Sequence, residues 1–130
     1  MKQDNELDLL FDAIYNEDKK YWPNGLNKGL YNGLEDKINL LKDKDNKLIG
    51  FSAIQIRGEK NPRKAYYSIG ILPEYRGHGY ASKAMLDILN TTKDKDLIHY
   101  YTVHKDNIPS LKLYNKLKEN YPELNLEIFS

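Results

Sequence analysis

Arg76-Gly77-His78-Gly79-Tyr80-Ala81 stands where an apolar strand pattern stops and a helical pattern begins. The run before it, Tyr67-Ser68-Ile69-Gly70-Ile71-Leu72-Pro73, is rich in β-formers and is closed by a proline, which cannot donate to a central ladder. After it, Ala81, Ala84, Met85, Ile88 and Leu89 recur at the spacing of one buried helical stripe. The local reading is strand, glycine loop, helix. Two glycines remove the side chains that would keep an anion from the amide hydrogens of residues 77 to 81. A helix N-terminus adds roughly half a positive charge there. Such a junction suits a pyrophosphate, whereas the plainer reading of a glycine pair is a tight turn.

A second constellation lies about thirty residues on, in Tyr101-Thr102-Val103-His104-Lys105-Asp106-Asn107-Ile108-Pro109-Ser110. Asp106 or Asn107 can cap a helix whose first turn holds Pro109, where a missing amide hydrogen costs nothing. Steps of three and seven from Asn107 reach Ser110 and Tyr114, so the three share one side of that helix, beside an apolar stripe of Leu111, Leu113 and Leu117. A helix lining a cleft needs both stripes. The bland alternative for Tyr114 is a buried ring whose hydroxyl reaches solvent.

Together these stretches resemble the GNAT N-acetyltransferase superfamily. Its acetyl-CoA loop reads Gln or Arg, two residues, Gly, one residue, Gly or Ala, and Arg76, Gly79 and Ala81 fill that pattern behind Leu72-Pro73-Glu74-Tyr75. The stretch from Tyr101 to Tyr114 looks like the family's fifth strand and following helix. The resemblance covers roughly residues 38 to 118. It implies one acetyltransferase domain over residues 1–130, an α/β fold of α+β type with a mixed, mostly antiparallel central sheet flanked by helices, and shortened ends. The family usually opens with a strand and closes with two, whereas this chain opens with a helical pattern and shows one clear final strand. A second copy, in a homodimer, is one way to complete the acceptor site.

The rest of the chain reads consistently with this. Leu7, Leu10, Phe11 and Ile14 mark an amphipathic helix from about residue 5 to 20, ended by Trp22-Pro23-Asn24-Gly25. Three Gly-Leu pairs follow at intervals of four, Gly25-Leu26, Gly29-Leu30 and Gly33-Leu34. A helix there would lose about 1 kcal/mol per glycine, which favours an irregular loop with its leucines tucked into the core. Residues 24 to 36 are expected to form a mobile wall over the acceptor cleft. Strands are expected at about 38 to 42, 47 to 57 and 64 to 72, joined by turns at Asp43-Lys44-Asp45-Asn46 and Gly58-Glu59-Lys60-Asn61-Pro62 into an antiparallel meander. Further strands are expected at 97 to 103 and 124 to 129.

Composition narrows the function classes. The chain has 130 residues, 40% of them hydrophobic, enough for one compact core. It has no cysteine, so an enzyme thioester and a thiolate metal site are excluded. His78, His99 and His104 lie too far apart in sequence for a metal site, and no metal is expected. With 20 basic and 19 acidic residues and no basic block, nucleic acid is not expected as a partner. No apolar run approaches membrane-spanning length and no signal-peptide pattern opens the chain, so no membrane partner and a cytoplasmic location are expected.

The resemblance assigns roles. The backbone of Ile69, Gly70, Ile71 and Leu72 would pair with the pantetheine arm of acetyl-CoA. Gly77, His78, Gly79, Tyr80, Ala81 and Ser82, behind Arg76, would hold the pyrophosphate, and Asn107, with Ser110 beside it, would fix the arm. Tyr114 would protonate the departing thiolate, help worth about 10² to 10⁴ in rate. The acceptor amine must also lose a proton, which for a lysine-like amine costs roughly 4.6 kcal/mol at pH 7. The places where the family often puts a Glu hold Tyr66, Tyr67, Ser68 and Thr102. Three substitutes remain: water held by Ser68, Thr102 or a tyrosine; His104, as the residue type that changes charge near neutrality; or an acceptor of low amine pKa. The expected activity is direct acetyl transfer to a primary amine of a small molecule, a peptide N-terminus or a protein lysine. The alternative is a non-catalytic protein that keeps the fold for binding or structure.

Overall fold

The computed structural model describes residues 2–59, 61–93 and 95–130, with side chains from Glu6 onward. Helix α1 (Lys2–Asp18) leads through two short 3-10 turns, Lys19–Tyr21 and Lys28–Tyr31, to strands β1 (Lys37–Lys42), β2 (Leu48–Arg57) and β3 (Arg63–Ile71). Helix α2 (Tyr80–Thr92), strand β4 (Leu97–His104), helix α3 (Ile108–Asn120) and strand β5 (Asn125–Phe129) follow. The strands form one sheet in the order β1-β2-β3-β4-β5.

The first three strands are the expected antiparallel meander. Asp43 closes the first hairpin, its Oδ1 accepting from the amides of Asp45 and Lys47, each at 2.9 Å. In the second turn Lys60 lies outside the described residues. Strand β4 lies parallel to β3, and β5 lies parallel to β4. The sheet is therefore evenly mixed, not mostly antiparallel. Alternation in the tail identifies a strand but not its direction, and α3 carries the chain back along β4, as a parallel neighbour requires.

Alternating side chains feed two cores, one on each face of the sheet. On one face Phe51 and Ala53 meet Leu7, Leu10, Phe11 and Ile14 of α1, all buried. On the other, Ile54, Ala65, Tyr67, Tyr101 and Val103 meet Met85, Ile88 and Leu89 of α2 and Tyr114 and Leu117 of α3. Each large apolar side chain so buried contributes about 1.5–3 kcal/mol, which holds helices of this length that would be marginal alone. Helix α1 comes close over the end of β3 because residue 70 is glycine. A Cβ there would stand 2.7 Å from the Phe51 ring and 3.2 Å from Ile14 Cδ1. None of the described helices is long and apolar enough to cross a membrane.

The Gly-Leu segment forms no α-helix. Leu26 is buried, Leu30 is packed against the α1 core, and Leu34 points out into solvent. Its end is fastened by Asp36, whose side chain is fully buried. Asp36 Oδ2 accepts from the Gly33 amide at 3.0 Å and Oδ1 from the Ile56 amide at 3.0 Å, while Arg57 grips both oxygens at 2.8 and 2.9 Å. Burial alone would raise the Asp36 carboxyl, but the bonds from Arg57, Ile56 and Gly33 outweigh it and hold the group below its ordinary value. Its stabilisation is therefore complete above the unfolded value near 3.9 and is lost as pH falls through the lower native one. Asp36→Asn is expected to cost about 2 kcal/mol at pH 7. In urea titrations the gap between parent and variant should close below about pH 4; a gap that stays constant down to pH 2 would exclude this clamp.

Candidate active site

A wedge in the sheet organises the site. Rungs join β3 and β4 from Arg63↔Leu97 to Tyr67↔Tyr101 and then stop. Strand β3 goes on with β2 as far as Gly50↔Ile71, and β4 goes on with β5 as far as His104↔Phe129. The facing edges of residues 68–71 and 102–104 thus have no strand partner. At the fork, Thr102 Oγ1 donates to the Tyr67 carbonyl at 3.5 Å. The wedge opens into a cleft of about 930 Å³, the size of a small-ligand site.

The glycine loop closes one end of the cleft. Gly77 and Gly79 have φ of +81° and +83°, and a Cβ added at either would meet nothing within 4 Å. The space in front of the loop is open, as an anion cradle needs. Gly79 is the N-cap of α2 and offers no side-chain bond. The first amides of α2, on Tyr80, Ala81 and Ser82, therefore keep their hydrogens free for an anion. Arg76 does not point into this cradle as a free cation. Its Nε donates to the Ile71 carbonyl at 3.0 Å and its Nη2 to Asp18 Oδ2 at 2.5 Å, tying the loop to β3 and to the end of α1.

Helix α3 forms the opposite wall. Asn107 is its N-cap, accepting at Oδ1 from the Ser110 amide at 3.3 Å and leaving its Nδ2 hydrogens available. The Ser110 and Tyr101 hydroxyls meet at 2.5 Å, and both residues line the cleft. Burial pushes the Tyr101 phenol up to about 12, and the bond to Ser110 offsets only part of that. His104 also lines the cleft, its ring centroid 5.4 Å from those of Tyr21 and Phe129. Its Nδ1 accepts from the Asp106 amide at 3.1 Å. A neutral ring held this way carries its proton on Nε2 and acts there as a donor.

Most of the residues singled out in the sequence converge on the cleft: Ile69, Gly70 and Ile71 of β3, the loop and first turn of α2, and Asn107, Ser110 and His104. Three do not line it. The Leu72 amide donates to the Ile49 carbonyl at 2.9 Å and its side chain packs on the α1 side. His78 is exposed, its ring 6.3 Å from that of Tyr80. Tyr114 is buried, stacked on Tyr101 at 6.2 Å, and its hydroxyl donates to the Leu124 carbonyl at 3.2 Å. The helical stripe correctly places Tyr114 beside Ser110, but its phenol reaches past the wall into the core.

The far end of the cleft comes from residues that periodicity does not single out. Tyr31, on the second 3-10 turn, shares a hydrogen bond of 3.0 Å with Ser68. Burial raises the Tyr31 phenol, the Ser68 bond opposes this, and the charge of Asp36 adds to it. Gln55 Nε2 donates to the Leu30 carbonyl at 2.7 Å and fastens the same turn to β2. Tyr21, Trp22 and Leu30 complete this wall, so the segment between α1 and β1 does border the cleft. The sequence marks Leu30 and Tyr31 only as part of the segment 24 to 36 expected to wall the cleft, and Tyr21, Trp22 and Gln55 carry no site signal of their own.

Similar proteins have this architecture. A possible acetyltransferase from Clostridium difficile 630 superposes with a TM-score of 0.64 at 19% identity, over 88% of this chain and 84% of its own. An aminoglycoside antibiotic 6′-N-acetyltransferase from Acinetobacter baumannii gives 0.59 at 18% identity, over 88% and 84%. An N-acetyltransferase from Staphylococcus aureus Mu50 gives 0.51 at 22% identity over 64% of this chain, which spans about half, 52%, of that protein. At these identities the likeness is one of fold. No curated protein matches the sequence. The model of the Acetyltransferase (GNAT) family matches residues 11–118, most of the chain and all of the wedge, and this chain belongs to that family.

Proposed function

We propose that this protein transfers an acetyl group from acetyl-CoA directly to a primary amine. The observation that carries the reading is the pair of left-handed glycines, Gly77 and Gly79, opening an uncapped helix N-terminus onto the end of the wedge. In this reading the amides of Tyr80, Ala81 and Ser82 hold the pyrophosphate, the free edge of residues 69–71 takes the pantetheine arm, and the Asn107 amide fixes it. The acetyl donor supplies the activated carbonyl. Ser68, hydrogen-bonded to Tyr31, and Thr102 are placed to hold a water that accepts the amine's proton.

The departing sulfur needs a proton. The resemblance points to Tyr114, and the placement of the hydroxyls favours Tyr101, which shares its proton with Ser110 at the cleft wall. Tyr101→Phe is expected to lower kcat about 100-fold with the KM for acetyl-CoA little changed. Tyr114→Phe is expected to lower it less than about fivefold; the reverse order would mean that the Tyr114 hydroxyl leaves Leu124 to act. His104 serves as an Nε2 donor and not as the base. His104→Gln, which keeps a donor, should therefore retain the parent's pH–rate profile; loss of its acidic limb would restore His104 as base.

Calorimetric titration with acetyl-CoA tests the cofactor site itself. The parent is expected to bind, and Gly79→Glu, which sets a carboxylate against the amide cradle, is expected to weaken binding at least about 100-fold. Parent and variant binding equally would move the pyrophosphate elsewhere. A parent that does not bind would leave the fold with a binding or structural role.

A further inference from the structure

The acceptor end of the cleft is unusual in its charge. Its wall is Tyr21, Trp22, Leu30, Tyr31 and Phe129, with Gln55, Ser68 and Thr102 as its uncharged polar groups. Among the described residues that line the cleft, Asp18 at the end of α1 is the only carboxylate side chain, and it is bonded to Arg76. The other charged side chains of the cleft are cations: Arg76 itself, in the glycine loop, and Lys112 and Lys116 of α3. His104 of β4 faces the cleft with Nδ1 occupied. Asp36, near the 3-10 turn, is held by Arg57 and lies outside the lining. A polycation would meet no free carboxylate side chain, and outside the Arg76–Asp18 pair the charged side chains of the cleft, Lys112 and Lys116, are both cationic. A flat apolar body would meet aromatic faces.

From this we infer that the acceptor is a monoamine carried on an aromatic or apolar body and taken up as the free base, rather than a polyamine, an aminoglycoside or a lysine-rich segment. The inference rests on the acetyltransferase reading and deepens it. It also accounts for the missing carboxylate base. An aromatic wall without a free carboxylate side chain disfavours the ammonium form, so the cleft itself selects the nucleophilic amine. The free nitrogen attacks the thioester carbonyl, the C–N bond forms and the C–S bond breaks. The nitrogen then gives up one proton and the sulfur gains one, leaving an acetamide and the free thiol of CoA. Gln55 Oε1, whose Nε2 partner is already engaged, is placed to accept from the amine.

The experiment combines turnover with a binding signal. Trp22 is the only tryptophan in the chain, so its fluorescence reports directly on this wall. Phenethylamine and a series of ring-substituted benzylamines are compared with spermidine, kanamycin and a lysine-containing peptide, with acetyl-CoA for rates and with CoA for fluorescence titrations. Acetyl-CoA binding is checked by calorimetry in parallel. The aryl monoamines are expected to give kcat/KM at least 10-fold above the polycations and to perturb Trp22 fluorescence saturably. Their kcat/KM should rise with pH up to each amine's own pKa. Trp22→Ala should raise their KM about 10-fold with the KM for acetyl-CoA unchanged. Because Trp22 also packs on Phe51, Gln55→Glu provides a second variant, expected to shift preference toward spermidine. Faster turnover of any polycation, a pH profile indifferent to the amine's pKa, or acetyl-CoA binding with no aryl amine acetylated or sensed would each overturn the inference. All three leave the cofactor site intact. Failure to bind acetyl-CoA would instead remove the acetyltransferase reading beneath it.

Discussion

The structure turns on a sheet that stops being a sheet halfway along two of its strands. Strands β3 and β4 share rungs only up to Tyr67 and Tyr101, because each strand's later half is committed elsewhere. The end of β3 is pinned to β2 and covered by α1, which can approach because Gly70 lacks the Cβ that would strike Phe51 and Ile14. The end of β4 is pinned to β5, and its chain turns at once into α3 under the Asn107 cap. Two strands drawn apart at one end and bonded at the other must enclose a wedge. The glycine loop, the first turn of α2 and the wall of α3 are arranged around that gap.

Hydroxyls and amides make up much of the polar lining of the cleft. Tyr31 with Ser68, from elements far apart in sequence, and Tyr101 with Ser110, from the consecutive elements β4 and α3, are paired hydroxyls lining the cleft. Both phenols are raised by burial, so they remain protonated near neutrality. Among the described lining residues the one carboxylate side chain, Asp18, holds Arg76 across the gap between α1 and the loop. Positioning here depends on packing and backbone geometry more than on ion pairs, which is less sensitive to ionic strength.

Much of this was legible in the chain because it is local. The stripe Ala84, Met85, Ile88 and Leu89 is the buried face of α2, and Gly77 and Gly79 do adopt the backbone that only glycine takes easily. Asn107, one of the two caps that the position of Pro109 allows, is the residue that caps α3. What stayed hidden is non-local. Alternation in the tail cannot reveal that β5 runs parallel to β4. Spacing on α3 sets the direction of the Tyr114 Cβ but not where a hydroxyl five bonds further out finds its partner, which is a carbonyl at Leu124. The far wall of the cleft comes from 3-10 turns that no helix or strand period marks, held by Gln55 and Asp36 through contacts across the chain.

The unpaired edges also affect how the fold and its ligand depend on one another. Strand β3 offers the backbone of residues 68–71 to the wedge, and one of its acceptors, the Ile71 carbonyl, is already taken by the Arg76 guanidinium. An extended molecule lying in the gap would act as an intervening strand, adding rungs that the protein does not make for itself. Occupancy and folding are then linked by mass action. A ligand at 100 times its Kd adds about 2.7 kcal/mol to the folded state, a sizeable share of the stability of a small domain. On this view the small unfolded fraction, and with it exposure to proteolysis or aggregation, shrinks as the ligand that fills the wedge becomes more concentrated.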